Sequence, residues 1–159
     1  MPMRITDFLK EDAVVIGMKS TQKEEALDEL LAVLEKTGRI RNREKIAESL
    51  IARERLGSTG IGQGIAVPHT KSDQVEELVG ALGISNRGVE FDALDGDPVT
   101  IIFLVIAPAK ATGIHLKALA KIARLLKDRV FRNSLRNART AAEAITIIKE
   151  DEEKLTTLA

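Results

Sequence analysis

The chain has 159 residues, with 24 Lys and Arg against 24 Asp and Glu, and it contains no cysteine. This length suits one domain with its own core. The balanced charge gives no field for general nucleic-acid binding, and the missing cysteine excludes disulfides, thiol catalysis and thiolate metal sites. Four Phe with no Trp or Tyr leave the core to Leu, Ile, Val and Ala, and leave little to stack on bases.

Met1 to Asp7 lacks the apolar segment of a signal peptide. The longest apolar run, Val99 to Ala107, falls far short of the roughly 20 residues of a membrane span. A cytoplasmic location without membrane insertion is expected.

Val14 to Ile16 reads as a first strand. Thr21 with Glu24 has the capping-box spacing, before a helix with Ala26, Leu27, Leu30, Leu31 and Leu34 on one face and Gly38 as its stop. Asn42 opens a second helix, with Ile46, Ala47, Leu50 and Ile51 inward. Residues 57–64, with four glycines, read as a loop. Strands are expected over Ile65 to Val67, Val79 to Ser85 and Val99 to Ile106, the last continuously apolar and so covered on both faces. A third helix starts at Thr112 or Gly113, with His115, Leu119, Ile122 and Leu126 on one stripe. Its many Lys and Arg, with those that follow to residue 139, read as a solvated face. Asp128 caps a short helix, and Thr140 with Glu143 caps the last one. From Glu150 to Ala159 a polar tail is expected to fray. The class is α/β: a mixed β-sheet flanked by helices on both faces, one domain over 1–159 with its core at about 5–150.

The chemistry concentrates in Arg53-Glu-Arg-Leu-Gly-Ser-Thr-Gly-Ile-Gly-Gln-Gly-Ile-Ala-Val-Pro-His69. A neutral imidazole offers a lone pair that can take a phosphoryl group, and Pro68 presents His69 from stiff, extended backbone. Alone, His69 reads more readily as an ordinary surface histidine. His115 in the first turn of a helix changes that weighing, because that end favours anions. The other reading of His115 is a half-buried member of the apolar stripe. Arg53 can pair with phosphoryl oxygens, or simply complement a helix end. Ser58 and Thr59 can donate hydroxyl bonds to the same oxygens, or serve the turn. The glycines follow a helix and precede a strand, the reverse of the dinucleotide motif. Two histidines without cysteine make a poor zinc site, so no metal and no cofactor is expected.

Gly57 to His69 resembles the active-site signature of enzyme IIA of the fructose/mannitol class, in the bacterial phosphoenolpyruvate-dependent phosphotransferase system. Val89-Glu-Phe-Asp-Ala-Leu-Asp-Gly-Asp-Pro-Val99, and Pro108 followed by His115-Leu-Lys-Ala-Leu-Ala, extend the resemblance over about Ile5 to Glu150. It implies that His69 is phosphorylated by HPr or a nitrogen-branch relative of HPr, with His115 and Arg53 as partners in the site. The recipient would be a IIB protein, or the phosphorylation state would itself signal to a regulatory protein, as in the nitrogen-regulatory subgroup that the chain also resembles. Thr70, Gln63 and Val67 depart from residues common in the family and blur the subgroup. Ile61, Ile65 and Val67 are the expected apolar surface for HPr. A different class of function is a regulatory binding module that keeps the fold without phosphotransfer.

Overall fold

The unbroken apolar run of Val99 to Pro108 resolves into two interleaved sets. Ile101, Phe103 and Val105 enter one core cluster, and Ile102, Leu104 and Ile106 enter the other. Side chains of a strand alternate between faces, so an all-apolar strand needs cover on both. The computed structural model, which describes residues 3–158, supplies it with two layers of helices.

The elements run α1 (Ile5–Phe8), a 3-10 turn (Glu11–Ala13), β1 (Val14–Ile16), α2 (Lys23–Thr37), α3 (Arg43–Leu56), β2 (Gly60–Gly62), β3 (Ile65–Ala66), β4 (His69–Ser72), β5 (Val79–Val89), β6 (Val99–Pro108), α4 (Thr112–Leu126), α5 (Arg129–Arg136) and α6 (Ala141–Leu158). The sheet has the order β1-β5-β6-β3-β2, and β4 also pairs with β6. β5 and β6 are antiparallel, while β1 lies parallel to β5, and β3 and β4 parallel to β6. α2 and α3 cover one face; α1, α4, α5 and α6 cover the other. This is the mixed, doubly covered sheet that the alternation of apolar patterns predicts.

The helix signals hold in part. Gly38 closes α2 in the left-handed region, at φ 76°, where glycine costs least. The Asn42 side chain accepts from the Lys45 amide, and that of Asp128 from the Val130 amide. Thr21 and Glu24 do not form a capping box: the cap residue of α2 is Gln22, with no side-chain bond. Instead Glu29, one turn further in, takes the amides of Lys19 and Ser20. At α6 the Glu143 amide donates to Thr140, but the Glu143 carboxylate returns to Arg139 rather than Thr140.

Three expectations need correction. Residues 57–64 are not all loop: Gly60–Gly62 forms β2, a hairpin with β3 across Gln63 and Gly64. Both turn residues have positive φ, 59° and 79°, the requirement of the tight hairpin turn whose twist matches the strands. The strand after Val79 does not stop at Ser85; it continues to Val89 through an irregularity in its pairing with β6. The polar tail does not fray from Glu150. α6 runs through it to Leu158 because Glu152 turns inward, where its buried carboxylate accepts the Ile5 amide at 2.8 Å and the Lys121 ammonium at 3.5 Å. Ala159 lies outside the described residues.

Candidate phosphoryl site

β3 and β4 are one strand interrupted at Val67-Pro68. The pairing with β6 keeps the same register from Ile65↔Ile101 to Ser72↔Pro108. The Pro68 carbonyl still accepts from the Val105 amide, at 3.0 Å. Proline lacks an N–H and so spends no donor at the break. Alternation carries across it: Ala66 enters the α2–α3 core, while Ile65 and Val67 pack on the α4 side. His69 and Lys71 follow on that same side.

The Nδ1 of His69 lies 2.8 Å from the Val67 carbonyl oxygen. A carbonyl can only accept, so Nδ1 is the donor, and in the neutral ring Nε2 then keeps the lone pair. The ring is thus held in one tautomer and one orientation by its own strand. α4 sets His115 against it, with ring centroids 5.4 Å apart and planes tilted by 59°. His115 is only 7% exposed, and its buried Nε2 has no hydrogen-bond partner. Burial, then the proximity of His69 and Lys71, holds the His115 pKa below the usual histidine range. Its resting form is neutral.

Lys71, which sequence reasoning did not single out, lies on the same side as this histidine pair. Its ammonium reaches from β4 to the Thr112 hydroxyl at the start of α4, at 3.1 Å. Strand alternation from His69 would have placed it on this face, had β4 been recognised as a strand.

Arg53 sits in the last turn of α3, in the opposite layer, and donates to the Gly57 carbonyl at 2.8 Å. Among the described residues no hydrogen bond joins it to either histidine. Thr59 is buried, and both its amide and its hydroxyl donate to the buried carboxylate of Glu54. The Ser58 hydroxyl donates to the Phe91 carbonyl at 2.6 Å. Both hydroxyl protons are therefore committed to shaping the loop in this structure. Glu54 also meets Lys23, at 3.2 Å. The loop in turn supports the strand, since the Thr59 carbonyl accepts the Val67 amide.

Of the three expected surface residues, Ile61 is 52% exposed. Val67 is partly buried against the core. Ile65 is a correction: at 3% exposure it belongs to the core, because its strand position points under α4 and α5. More apolar surface comes from α4 itself, where Ile114 and Leu116 flank His115 at 50% and 62% exposure. Their signal was legible: they stand off the helix's apolar stripe yet are large and apolar. Among the described residues no cluster of three His, Cys, Asp or Glu side chains could hold a metal ion, and no helix is long and apolar enough to cross a membrane.

The mixed α/β sheet brings one histidine from β4 against another from α4, and comparison with known proteins gives the class to which the chain belongs. The chain belongs to the EIIA 2 family of the phosphoenolpyruvate-dependent sugar phosphotransferase system, which it matches over residues 7–151. It is 40% identical to a nitrogen regulatory protein of Bradyrhizobium diazoefficiens over 147 residues, 92% of this chain and 95% of that one. It is 36% identical to the fructose-specific EIIABC component of Bacillus subtilis over 148 residues, 93% of this chain but 23% of that longer protein. The fold superposes on the crystal structure of nitrogen regulatory protein IIA-Ntr from Neisseria meningitidis with a TM-score of 0.84 at 36% identity, covering 91% of this chain and 98% of that one.

Proposed function

We propose that this protein is a cytoplasmic phosphocarrier that takes a phosphoryl group onto Nε2 of His69 from an HPr-type donor. The observation that carries this reading is the bond from His69 Nδ1 to the Val67 carbonyl, with the His115 ring beside it. In the transfer, the Nε2 lone pair attacks phosphorus as the bond from phosphorus to the donor imidazole breaks. The electron pair of that bond stays with the donor, whose ring, protonated at its other nitrogen, leaves as a neutral imidazole. The His69 ring gains positive charge, which the Val67 carbonyl offsets at Nδ1–H until that proton passes to solvent and leaves the neutral phosphohistidine. His115, neutral and buried, is placed to give an N–H to a phosphoryl oxygen. Because donor and acceptor are both imidazoles, alignment and charge placement do most of the work.

Arg53 enters this reading as a mobile partner, which would exchange the Gly57 carbonyl for a phosphoryl oxygen when the donor docks. Ser58 and Thr59 shape the loop on which that exchange depends. Ile61 and Val67, with Ile114 and Leu116, form the apolar rim against which the donor would seat. Family membership supports phosphotransfer in general. Both nitrogen-regulatory and fructose-specific relatives match, so two recipients stay in play: a IIB protein, or a regulatory protein that reads the phosphorylation state.

The test is reconstitution with phosphoenolpyruvate, enzyme I and HPr, followed by intact mass. A gain of one acid-labile phosphoryl group that is absent in His69→Ala and slowed in His115→Ala is expected. No gain from any HPr-type donor would leave the protein as a binding module on a shared fold.

A further inference from the structure

The site holds a cation that the reading above does not use. Lys71 follows His69 by two positions on β4, so the two side chains leave the same face of the strand, roughly 6.6 Å apart at the backbone. A lysine stem spans that gap easily, and the 3.1 Å bond to Thr112 shows the ammonium already turned toward α4, the helix that carries His115. Its partner there is a neutral hydroxyl. Among the described residues no carboxylate pairs with Lys71, although most of the chain's other close cation contacts are to Asp or Glu. The cap residue of α4 is Ala111, which offers no side-chain cap, so no built-in anion competes for the ammonium. Arg53, by contrast, belongs to the opposite layer and is held by Gly57.

We propose that Lys71 is a positioning residue for phosphorylated His69: its ammonium leaves the Thr112 hydroxyl and pairs with the phosphoryl dianion. The inference rests on His69 as the phosphorylated residue. A dianion outcompetes a neutral hydroxyl for an ammonium because the bond becomes charge-assisted on both sides. The exchange is a short reach by one exposed side chain and needs no backbone movement. Its consequence is lifetime. Phosphohistidine is hydrolysed through its ring-protonated form, from which a neutral imidazole leaves. A cation beside the ring disfavours that protonation and lengthens the life of the phosphoryl store.

The test compares wild type with Lys71→Met, Lys71→Arg and Thr112→Val. Each is phosphorylated chemically with phosphoramidate, so that the result does not depend on the HPr donor, and the loss of phosphoryl mass is followed at neutral pH. Lys71→Met is expected to shorten the phosphohistidine half-life about fivefold, the effect of one unit charge at contact distance in water. Lys71→Arg should restore most of it. Thr112→Val, which removes only the competing acceptor, should keep the half-life at or above that of wild type. As a second readout, the His115 ring proton titration, followed by NMR on unphosphorylated protein, should move upward in Lys71→Met. An unchanged half-life in Lys71→Met overturns the proposal. So does a half-life shortened equally in Thr112→Val, which would assign the effect to the tether on α4 rather than to the ammonium. Failure of HPr to phosphorylate wild type, with the Lys71 effect intact on phosphoramidate-treated protein, would sink the donor assignment and leave this one standing.

Discussion

The two faces of the sheet are built from the same strands and finished differently. On the α2–α3 face the polar groups are closed against each other. Glu54 is buried there, yet it holds the Thr59 amide and hydroxyl and the Lys23 ammonium, and Lys23 also lies 5.0 Å over the ring of Phe91. On the α4 face the core is just as apolar from Val14 to Val105, but at the β4 edge the alternation places His69 and Lys71 where Ile65 and Val67 stood two turns of the pleat earlier. There the buried Nε2 of His115 is left without a partner. An unpaired buried polar atom is costly, so its survival marks a place arranged for something other than stability. On one face Glu54 is closed by its own partners, and on the other the His115 ring nitrogen has none.

If that contrast is right, the largest loss of stability should come from opening the closed face. Glu54→Ala leaves a largely buried Lys23 and the Thr59 amide without their acceptor. Removing one member of such a buried group costs about 3 kcal/mol. Urea unfolding should show this as a lower midpoint with an unchanged slope. A loss under about 1 kcal/mol would mean that water reaches Glu54 and that the face is not closed.

On the α4 side the corresponding carboxylate is Glu152, which ties α6 to the first amide of α1 and to Lys121. Glu152→Ala should cost about 2 kcal/mol, the penalty for leaving a buried donor unsatisfied. Hydrogen exchange should localise the effect to α1 and the last turns of α6. An even loss of protection across the sheet would show that these helices do not act as a local unit.

Glu152 also shows why part of the fold could not be read from the chain. Nothing local distinguishes it from Glu150 or Glu153; its burial depends on α1, at the other end of the sequence. The same holds for β4. His69-Thr-Lys-Ser has no strand signal of its own, and it pairs only because Ile65 and Ala66 have already set the register with β6. The glycine-rich segment hid a hairpin, since glycine density signals turns and not the short strands between them. By contrast, the β6 run and the α2 and α4 stripes carried their places in the fold openly, because burial on both faces and helical spacing are local properties. The candidate site was legible as a pair of histidines, while Lys71 was hidden with the strand that bears it.

The open face should also respond to acid. Burial lowers the His115 pKa from its ordinary value of 6.5, so below that pH the unfolded ring binds a proton that the folded ring refuses. Folding stability contributed by the neutral ring is present above pH 6.5 and is lost as pH falls through the depressed folded value. The slope can reach about 1.4 kcal/mol per pH unit at most. Urea midpoints measured from about pH 7.5 down to about pH 5 should therefore fall more steeply in wild type than in His115→Gln. Parallel slopes would show that His115 titrates normally and that its burial imposes no cost on its charge.

The smallest effect is expected at the hairpin between the faces. Gln63 holds φ at 59° and precedes Gly64 at 79°, a turn that favours Asn before Gly because a short side chain tolerates the left-handed region. Its side chain is exposed; its amide donates to Asp95 and its carbonyl accepts from Arg136. Both bonds use backbone atoms that asparagine retains, so Gln63→Asn should stabilise the protein by about 0.5 kcal/mol through relief of backbone strain. The measurement is again the urea midpoint, read with Asp95→Asn beside it to separate the turn from its anchor. A destabilised Gln63→Asn would mean that the longer amide makes a bond that the turn geometry does not account for. The edge of the sheet would then be, like the α4 face, a place where side-chain identity is set by something other than folding.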